Sequence, residues 1–369
     1  MFKPECLPIL IGSLPLSDHK EAVRTFLSMT PDIPLWPQLP QLPREGMIRQ
    51  FLSGFPGLID ENNRYWIDTA VDSFEEEMTS FYSDYMQIEE NPIYLEKSRF
   101  KLDDDTAAGF SALTDNIKNQ PFSFVTLKGQ ITGPITTGIG VKDQDNRSII
   151  YDDNLRDMLI KLLTLKGRWQ VNELKKYTGR NPPIIFIDEP GMVSFGSSAF
   201  MGISRETVSD SVAEVINGIQ NEGGLAGVHI CANGDWGPVL SSKADIVSFD
   251  SYFYFDNFIL FKEQLINYLS RGGILAWGIV PTSDPLIIAQ TDSDMLFEKW
   301  QHQLKQISTL GFPEKQIMEQ TFIAPSCGTG SLPPEIALKV IRLTVEVAQK
   351  AQKLLRNSTD KLEKNRPKP

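Results

Sequence analysis

Cysteine and histidine are scarce in this chain, with 3 of each among 369 residues. So few cysteines, odd in number, exclude a disulfide-built scaffold. They suit a reducing compartment, so a cytoplasmic location is expected. Basic charge is also short: 36 Lys and Arg stand against 47 Asp and Glu, a formal net charge of −11. No basic face is on offer to displace counterions from a nucleic acid or to meet an anionic membrane, and neither partner is expected. No apolar run reaches the roughly 18 residues that would span a bilayer. The start, MFKPECLPILIGSLP, has Lys3 and a short apolar run broken by Gly, Ser and Pro, which does not read as a secretory signal. A Gly-rich strand-to-helix turn is missing too, which argues against a doubly wound nucleotide-binding sheet.

What is present alternates. Short apolar runs rich in β-branched residues read as strands covered on both faces: Leu7 to Ile11, Phe122 to Leu127, Ile184 to Ile187, Leu225 to Ile230, Ile246 to Phe249, Ile274 to Trp277 and Thr321 to Ala324, with a weaker run at Ile33 to Trp36. Amphipathic stretches lie between them, at Asp18 to Met29, Tyr151 to Tyr177, Ser204 to Gln220, Phe258 to Leu269, Asp292 to Leu310 and Pro334 to Leu355. Alternation over so many units predicts an α/β fold, a single (β/α)8 TIM barrel. Residues 37–120 break the repeat with a Pro-rich run and an acidic helix around Asp72 to Tyr85, and read as an elaboration after the second strand. The barrel is expected to occupy 1–356, with a charged, Pro-containing, disordered tail at 357–369.

The sharpest local pattern is His229-Ile230-Cys231 at the end of an apolar run. Side chains at i and i+2 of a strand share a face, so the imidazole and thiol aim at one point. Cys327, in PSCG after the last strand, offers a third ligand. Taken singly, a strand-end His or a Cys is more often a packed core residue. Together they form a His/Cys/Cys set at strand ends, a donor set that suits zinc and leaves a fourth position open. Asp250, ending the run IVSFD, is a further candidate ligand, although a loop Asp is commonly a helix cap.

Three other features join these at the expected barrel mouth. Asp188 and Glu189 follow the strand PPIIF, and a carboxylate there can hold a substrate ammonium by charge-assisted hydrogen bonds. The Ile11-Gly12-Ser13 turn ends the first strand and offers N–H groups and a hydroxyl to a carboxylate. The segment GQITGP at 129–134 reads as a tight turn lining the site.

In their order, these motifs resemble the C-terminal catalytic barrel of cobalamin-independent methionine synthase, in the superfamily that includes uroporphyrinogen decarboxylase. IGS at Ile11 resembles the family segment that holds the amino-acid carboxylate, and TGP at Thr132 its elbow. IDEP at Ile187 is similar to the segment whose Asp grips the amino group of homocysteine. HIC at His229 looks like the zinc-binding His-x-Cys, Asp250 falls where the family has a glutamate ligand, and PSCG resembles the PDCG that supplies the last cysteine. The resemblance implies a zinc-dependent methyltransferase that moves a methyl group to a thiol, with homocysteine the acceptor and methionine the product.

Three departures bear on the donor. Asp250 is one methylene shorter than the family's Glu. No counterpart of the family's additional N-terminal folate-binding barrel is expected. The family's histidine after the strand matching Ile274 to Trp277 is replaced in AWGIVPT. A methyl group leaves a folate nitrogen well only when that nitrogen is protonated, whereas a methyl-cobalt donor needs no proton. A methylated corrinoid protein is therefore the expected donor, as in short core-type methionine synthases. Three alternatives stay open: transfer to coenzyme M, a uroporphyrinogen decarboxylase-like reaction, and a non-catalytic zinc or corrinoid partner protein. Aromatics at Trp36, Phe51, Phe55, Tyr65 and Trp66 could serve a partner surface or pack in the core.

Overall fold

The structure, a computed structural model, describes residues 2–119, 123–194 and 202–364. An antiparallel hairpin comes first in the chain, β1 (Leu58–Glu61) and β2 (Arg64–Ile67). Then come six parallel strands: β3 (Lys128–Thr132), β4 (Ile184–Asp188), β5 (Leu225–Ile230), β6 (Ile246–Asp250), β7 (Ile274–Val280) and β8 (Thr321–Pro325). They are hydrogen-bonded in sequential order, β3 to β8. The fold is α/β, a six-stranded parallel sheet with helices packed along it.

The first two expected strands are not regular. Pro8 and Pro34 have no N–H to give a ladder. The segments carrying them are held by isolated parallel bridges instead, Pro8 with Ile323 and Leu35 with Lys128. Ile9 N donates to Ile323 O at 2.9 Å, and Lys128 N donates to Pro34 O at 2.9 Å. The N-terminal segments thus flank the two ends of the sheet, at β8 and β3. Ser13 and Gln38 bridge to each other.

Strand alternation divides the core into two. Ile184 and Phe186 of β4 join Ile246, Ile274, Phe322 and Ile9 in one apolar cluster. Ile185 and Ile187 face the other way, into the larger cluster shared with the helices. The first of those helices along the sheet, Asp153–Lys175, starts from Asp152, whose side chain accepts from the N–H groups of Asn154 and Leu155. Arg205–Asn221 is capped by Ser204 and Ser293–Ser308 by Asp292. The helix expected from Phe258 to Leu269 runs from Lys262 to Ser270, and a separate helix, Ser251–Phe258, ends where it was expected to begin.

Three other expectations change. The third strand is Lys128–Thr132, not the apolar run before it; Phe122 lies outside the described residues. Here the strand's inner face is polar, with Lys128, Gln130 and Thr132 all buried. Gly133 and Pro134 then open a short helix, Pro134–Gly140, so 129–132 is strand and not turn. The last helix, Pro334–Lys364, runs on through residues assigned to a disordered tail; 365–369 lie outside the described residues.

Residues 37–120 form the elaboration: the hairpin, the helix Phe74–Glu90, short 3-10 turns and the helix Ala108–Asn119. Asn62 and Asn63, at φ 50° and 61°, make the hairpin turn with both central residues left-handed. Trp36, Phe51 and Phe55 are buried core side chains and are not available to a partner. No helix among the described residues is long and apolar enough to cross a membrane.

Candidate metal centre

The carboxyl ends of the parallel strands bring three expected ligands together. His229 is the fifth residue of β5, Cys231 follows the strand's end, and Cys327 follows β8. One ligand atom from each lies within 4.8 Å of the others. His229 is buried, and both thiols are half-buried. Nδ1 of His229 pairs with Ser248 Oγ at 2.9 Å. Nε2 is buried and finds no hydrogen-bond partner. An imidazole nitrogen orphaned in this way beside two thiols is what a metal ligand looks like without its ion, because buried polar atoms are otherwise paired. The donor set of one imidazole and two sulfurs fits zinc.

The thiols are already unlike. The Cys327 hydrogen bond, and after it His229, bring Cys231 down to about 4, against the effect of burial. Cys327 is raised by that same bond and by burial. The two shifts run in opposite directions across the shared hydrogen bond, and ligation to a metal would deprotonate both sulfurs.

Asp250 is beside this cluster but not in it. Its Oδ1 accepts from Phe253 N at 3.0 Å and caps the helix Ser251–Phe258. Burial pushes its carboxyl up to about 6, with the helix N–H groups opposing.

Asp188 and Glu189 diverge as adjacent strand residues must. Asp188 is buried on the inner face of β4, opposite Thr132 and His229 in the register. Its Oδ1 has no partner. Burial raises it to about 6, while His229 and Lys128 pull it down. Glu189, expected to bind substrate, has its carboxylate filled from within. It accepts from Ile135 N at 2.9 Å, Thr136 N at 2.8 Å and Thr136 Oγ1 at 2.6 Å. It seals the amino end of Pro134–Gly140, and the approach is so close that a Cβ on Gly133 would lie 2.2 Å from Oε1. A side chain at 133 would therefore displace the Glu189 carboxylate from its donors.

The Ile11-Gly12-Ser13 turn is fastened to the Cys327 loop. Ser13 O accepts from Thr329 N at 3.1 Å and Thr329 Oγ1 at 2.9 Å, and Ser13 Oγ accepts from Gly330 N at 3.1 Å. Ser326, next to Cys327, shares a 2.9 Å hydrogen bond with Thr282, which lies just past β7. Metal cluster, Asp188 and turn thus occupy one end of the sheet.

No protein-family model and no curated protein matches the sequence. Solved structures do match. A B12-independent methionine synthase from Shewanella sp. W3-18-1, in complex with selenomethionine, aligns over 95% of this chain and 99% of its own, with TM-score 0.55 and 13% identity. A putative vitamin-B12 independent methionine synthase from Listeria monocytogenes gives 94% and 98%, TM-score 0.53 and 13% identity. A methyltransferase from Methanosarcina mazei gives 90% and 84%, TM-score 0.54 and 10% identity. The chain shares their fold.

Sequence reasoning missed the polar residues behind the cluster. Ser248 sits in an apolar run, IVSFD, and its inward phase with Asp250 was the available signal. Lys128 does not stand out because KGQIT does not look like a buried strand, and for the same reason Gln130 reads as part of a turn.

Proposed function

We propose that this chain is a zinc-dependent methyltransferase that methylates the thiol of homocysteine, with a methylated corrinoid protein as donor. The observation that carries the reading is the convergence of His229, Cys231 and Cys327, with an orphaned Nε2, at the same sheet end as the unpartnered Asp188 oxygen. We also propose that 1–356 closes into one (β/α)8-type barrel, the segments around Pro8 and Pro34 supplying the remaining two staves between β8 and β3.

Bound zinc would supply Lewis-acid deprotonation of a thiol that is otherwise mostly protonated at neutral pH. The chain's own groups do the rest. Ser248 fixes the His229 ring so that Nε2 presents its lone pair to the cluster. Cys231 and Cys327 bring negative charge that keeps a third sulfur nucleophilic. A three-residue donor set would leave the metal open to that sulfur, unlike a closed structural site. Asp188 receives the substrate ammonium, and the N–H groups of the Ile11–Ser13 turn receive its carboxylate. Fixing both ends of the amino acid positions the sulfur for in-line attack.

Asp188 separates the rivals. A coenzyme M sulfonate or the carboxylates of a porphyrinogen would be repelled by it, while an α-amino acid is attracted. The test is an exchange assay with methylcobalamin and a panel of thiols. Homocysteine-dependent demethylation that stops on zinc removal is expected. Equal rates with coenzyme M, or rates indifferent to zinc, would overturn the reading.

A further inference from the structure

We propose that Lys128 is a positioning residue for the carboxylate end of an amino-acid thiol, acting through the Ile11–Gly12 peptide. The inference rests on the thiol-methyltransferase reading above.

Lys128 opens β3 with none of its surface exposed. Its Nζ donates to Ile11 O at 2.5 Å and to Gln130 Oε1 at 3.3 Å, and lies 4.4 Å from the centroid of the Phe186 ring. Among the described residues its contacts are a carbonyl, an amide and an aromatic face, with no carboxylate at ion-pair distance; only the field of Asp188 supports its charge, while burial lowers its pKa from 10.5 to about 7. Burying an ammonium on such terms is costly. Its register partner on β4 is Ile184, so an apolar side chain is at home in this layer. The cost therefore needs a return.

The acceptor of the short bond supplies one. Ile11 O and Gly12 N–H belong to one planar trans peptide, so they point in opposite directions. With the oxygen held by Lys128, the N–H is aimed away from it. An ammonium on the carbonyl also draws electron density through the peptide and strengthens that N–H as a donor. No acceptor for the Gly12 N–H occurs among the described residues. Gly12 has φ +154°, a conformation that side-chain-bearing residues rarely adopt, and a Cβ there would meet Gln130 and Gln38 at 3.1 Å. The next residue, Ser13, abuts Gly328, the neighbour of Cys327. A polarised, unspent donor is thus fixed beside the metal cluster. Its ligand is the carboxylate of the substrate, and the charge of Lys128 supports it from behind the peptide.

Calorimetry of the zinc-loaded protein separates this role from a structural one. The ligands are homocysteine and 3-amino-1-propanethiol, which keeps the amine and thiol and lacks the carboxylate. In Lys128→Met, homocysteine binding weakens about tenfold or more, the effect of losing one charge-assisted interaction, while the carboxylate-free thiol is affected less than about twofold. KM for homocysteine rises with kcat preserved, and zinc content is unchanged. Lys128→Gln, which keeps a neutral donor to Ile11, shows the same selective loss and serves if the Met variant does not fold. Equal weakening of both thiols, or wild-type homocysteine affinity in either variant, overturns the proposal. Wild-type protein that binds both thiols alike sinks the amino-acid reading itself, before any variant is compared.

Discussion

Nδ1 of His229 and Oγ of Ser248 meet at 2.9 Å across the paired strands β5 and β6, which leaves Nε2 as the ring's only free nitrogen. The hydroxyl fixes the ring angle and, in the tautomer that leaves Nε2 free to ligate, accepts from Nδ1–H. Ser248→Ala should therefore bind zinc about 10–100-fold more weakly while folding normally. Competition with a chromophoric chelator, alongside circular dichroism, measures both. Unchanged zinc affinity would mean that the hydroxyl merely packs there.

Metal stoichiometry tests the ligand set itself. Purified protein should hold about one zinc per chain, as expected for a single three-residue site. The Cys231→Ala/Cys327→Ala double variant should lose it. Asp250→Asn should keep it, because the Asp250 carboxylate is engaged with Phe253 N as a helix cap. Full zinc retention in the double variant, by atomic absorption, rules out the cluster as the site.

Asp188 and Glu189 should part company on substitution. Asp188→Asn removes the acceptor for an ammonium and should weaken homocysteine binding by about 1.5–3 kcal/mol with zinc content unchanged. Glu189→Gln places an amide where three donors converge. It should lower the melting temperature more than it weakens homocysteine binding. Thermal melts and calorimetry on the two variants decide, and a reversal of the pattern would return Glu189 to the binding site.

Much of this site was legible in the sequence, and the limits of that reading are physical. His229, Cys231 and Cys327 were found because i and i+2 on a strand share a face and rare residue types stand out. The helix caps at Asp152, Ser204 and Asp292 precede amphipathic runs, so those helices lie near where periodicity puts them. Strand β3 was misplaced because burial does not require an apolar sequence when the inner face carries Lys128, Gln130 and Thr132 with partners inside. The internal partners of Glu189, Ile135 and Thr136, are not legible in the sequence because only the β3–β4 pairing brings them to it. The run-on of the last helix past 357 is hidden by its charged composition, which does not preclude a helix.

Lys166 makes a pH prediction remote from the metal. It is fully buried, donating to Ser53 Oγ at 3.2 Å and Lys101 O at 3.0 Å. Burial pulls its pKa from 10.5 to about 7, against the field of Asp103. Between those values the unfolded chain binds more protons than the folded one, so this group makes stability rise with pH. The slope from one such group is at most about 1.4 kcal/mol per pH unit. In Lys166→Met, the gain in stability between pH 7 and pH 9 should shrink by that contribution. Denaturant titrations at the two pH values measure it. Identical gains in variant and wild type would mean that Lys166 holds its proton equally in both states.

The donor prediction turns on what stands beyond β7. A methyl group on a folate nitrogen needs a proton delivered to that nitrogen as it leaves, and a histidine placed there could deliver it. After Trp277 this chain has Gly278, Ile279, Val280, Pro281 and Thr282. The Thr282 hydroxyl is committed to Ser326 at 2.9 Å, and a hydroxyl is far too weak an acid for the task at neutral pH. A cobalt-bound methyl group leaves its electron pair on the metal and asks for no proton, so a thiolate nucleophile suffices. Methylcobalamin, free or on a carrier protein, should therefore methylate homocysteine in the presence of the zinc-loaded chain, with the cobalt absorption spectrum shifting as methionine forms. Methyl-tetrahydrofolate should give no product. Introducing a histidine by Thr282→His should leave the cobalamin rate within about an order of magnitude, since no proton transfer limits it. Turnover with methyl-tetrahydrofolate by the unmodified chain, in the absence of any corrinoid, would overturn this assignment of the donor and leave the zinc site and the acceptor as they are.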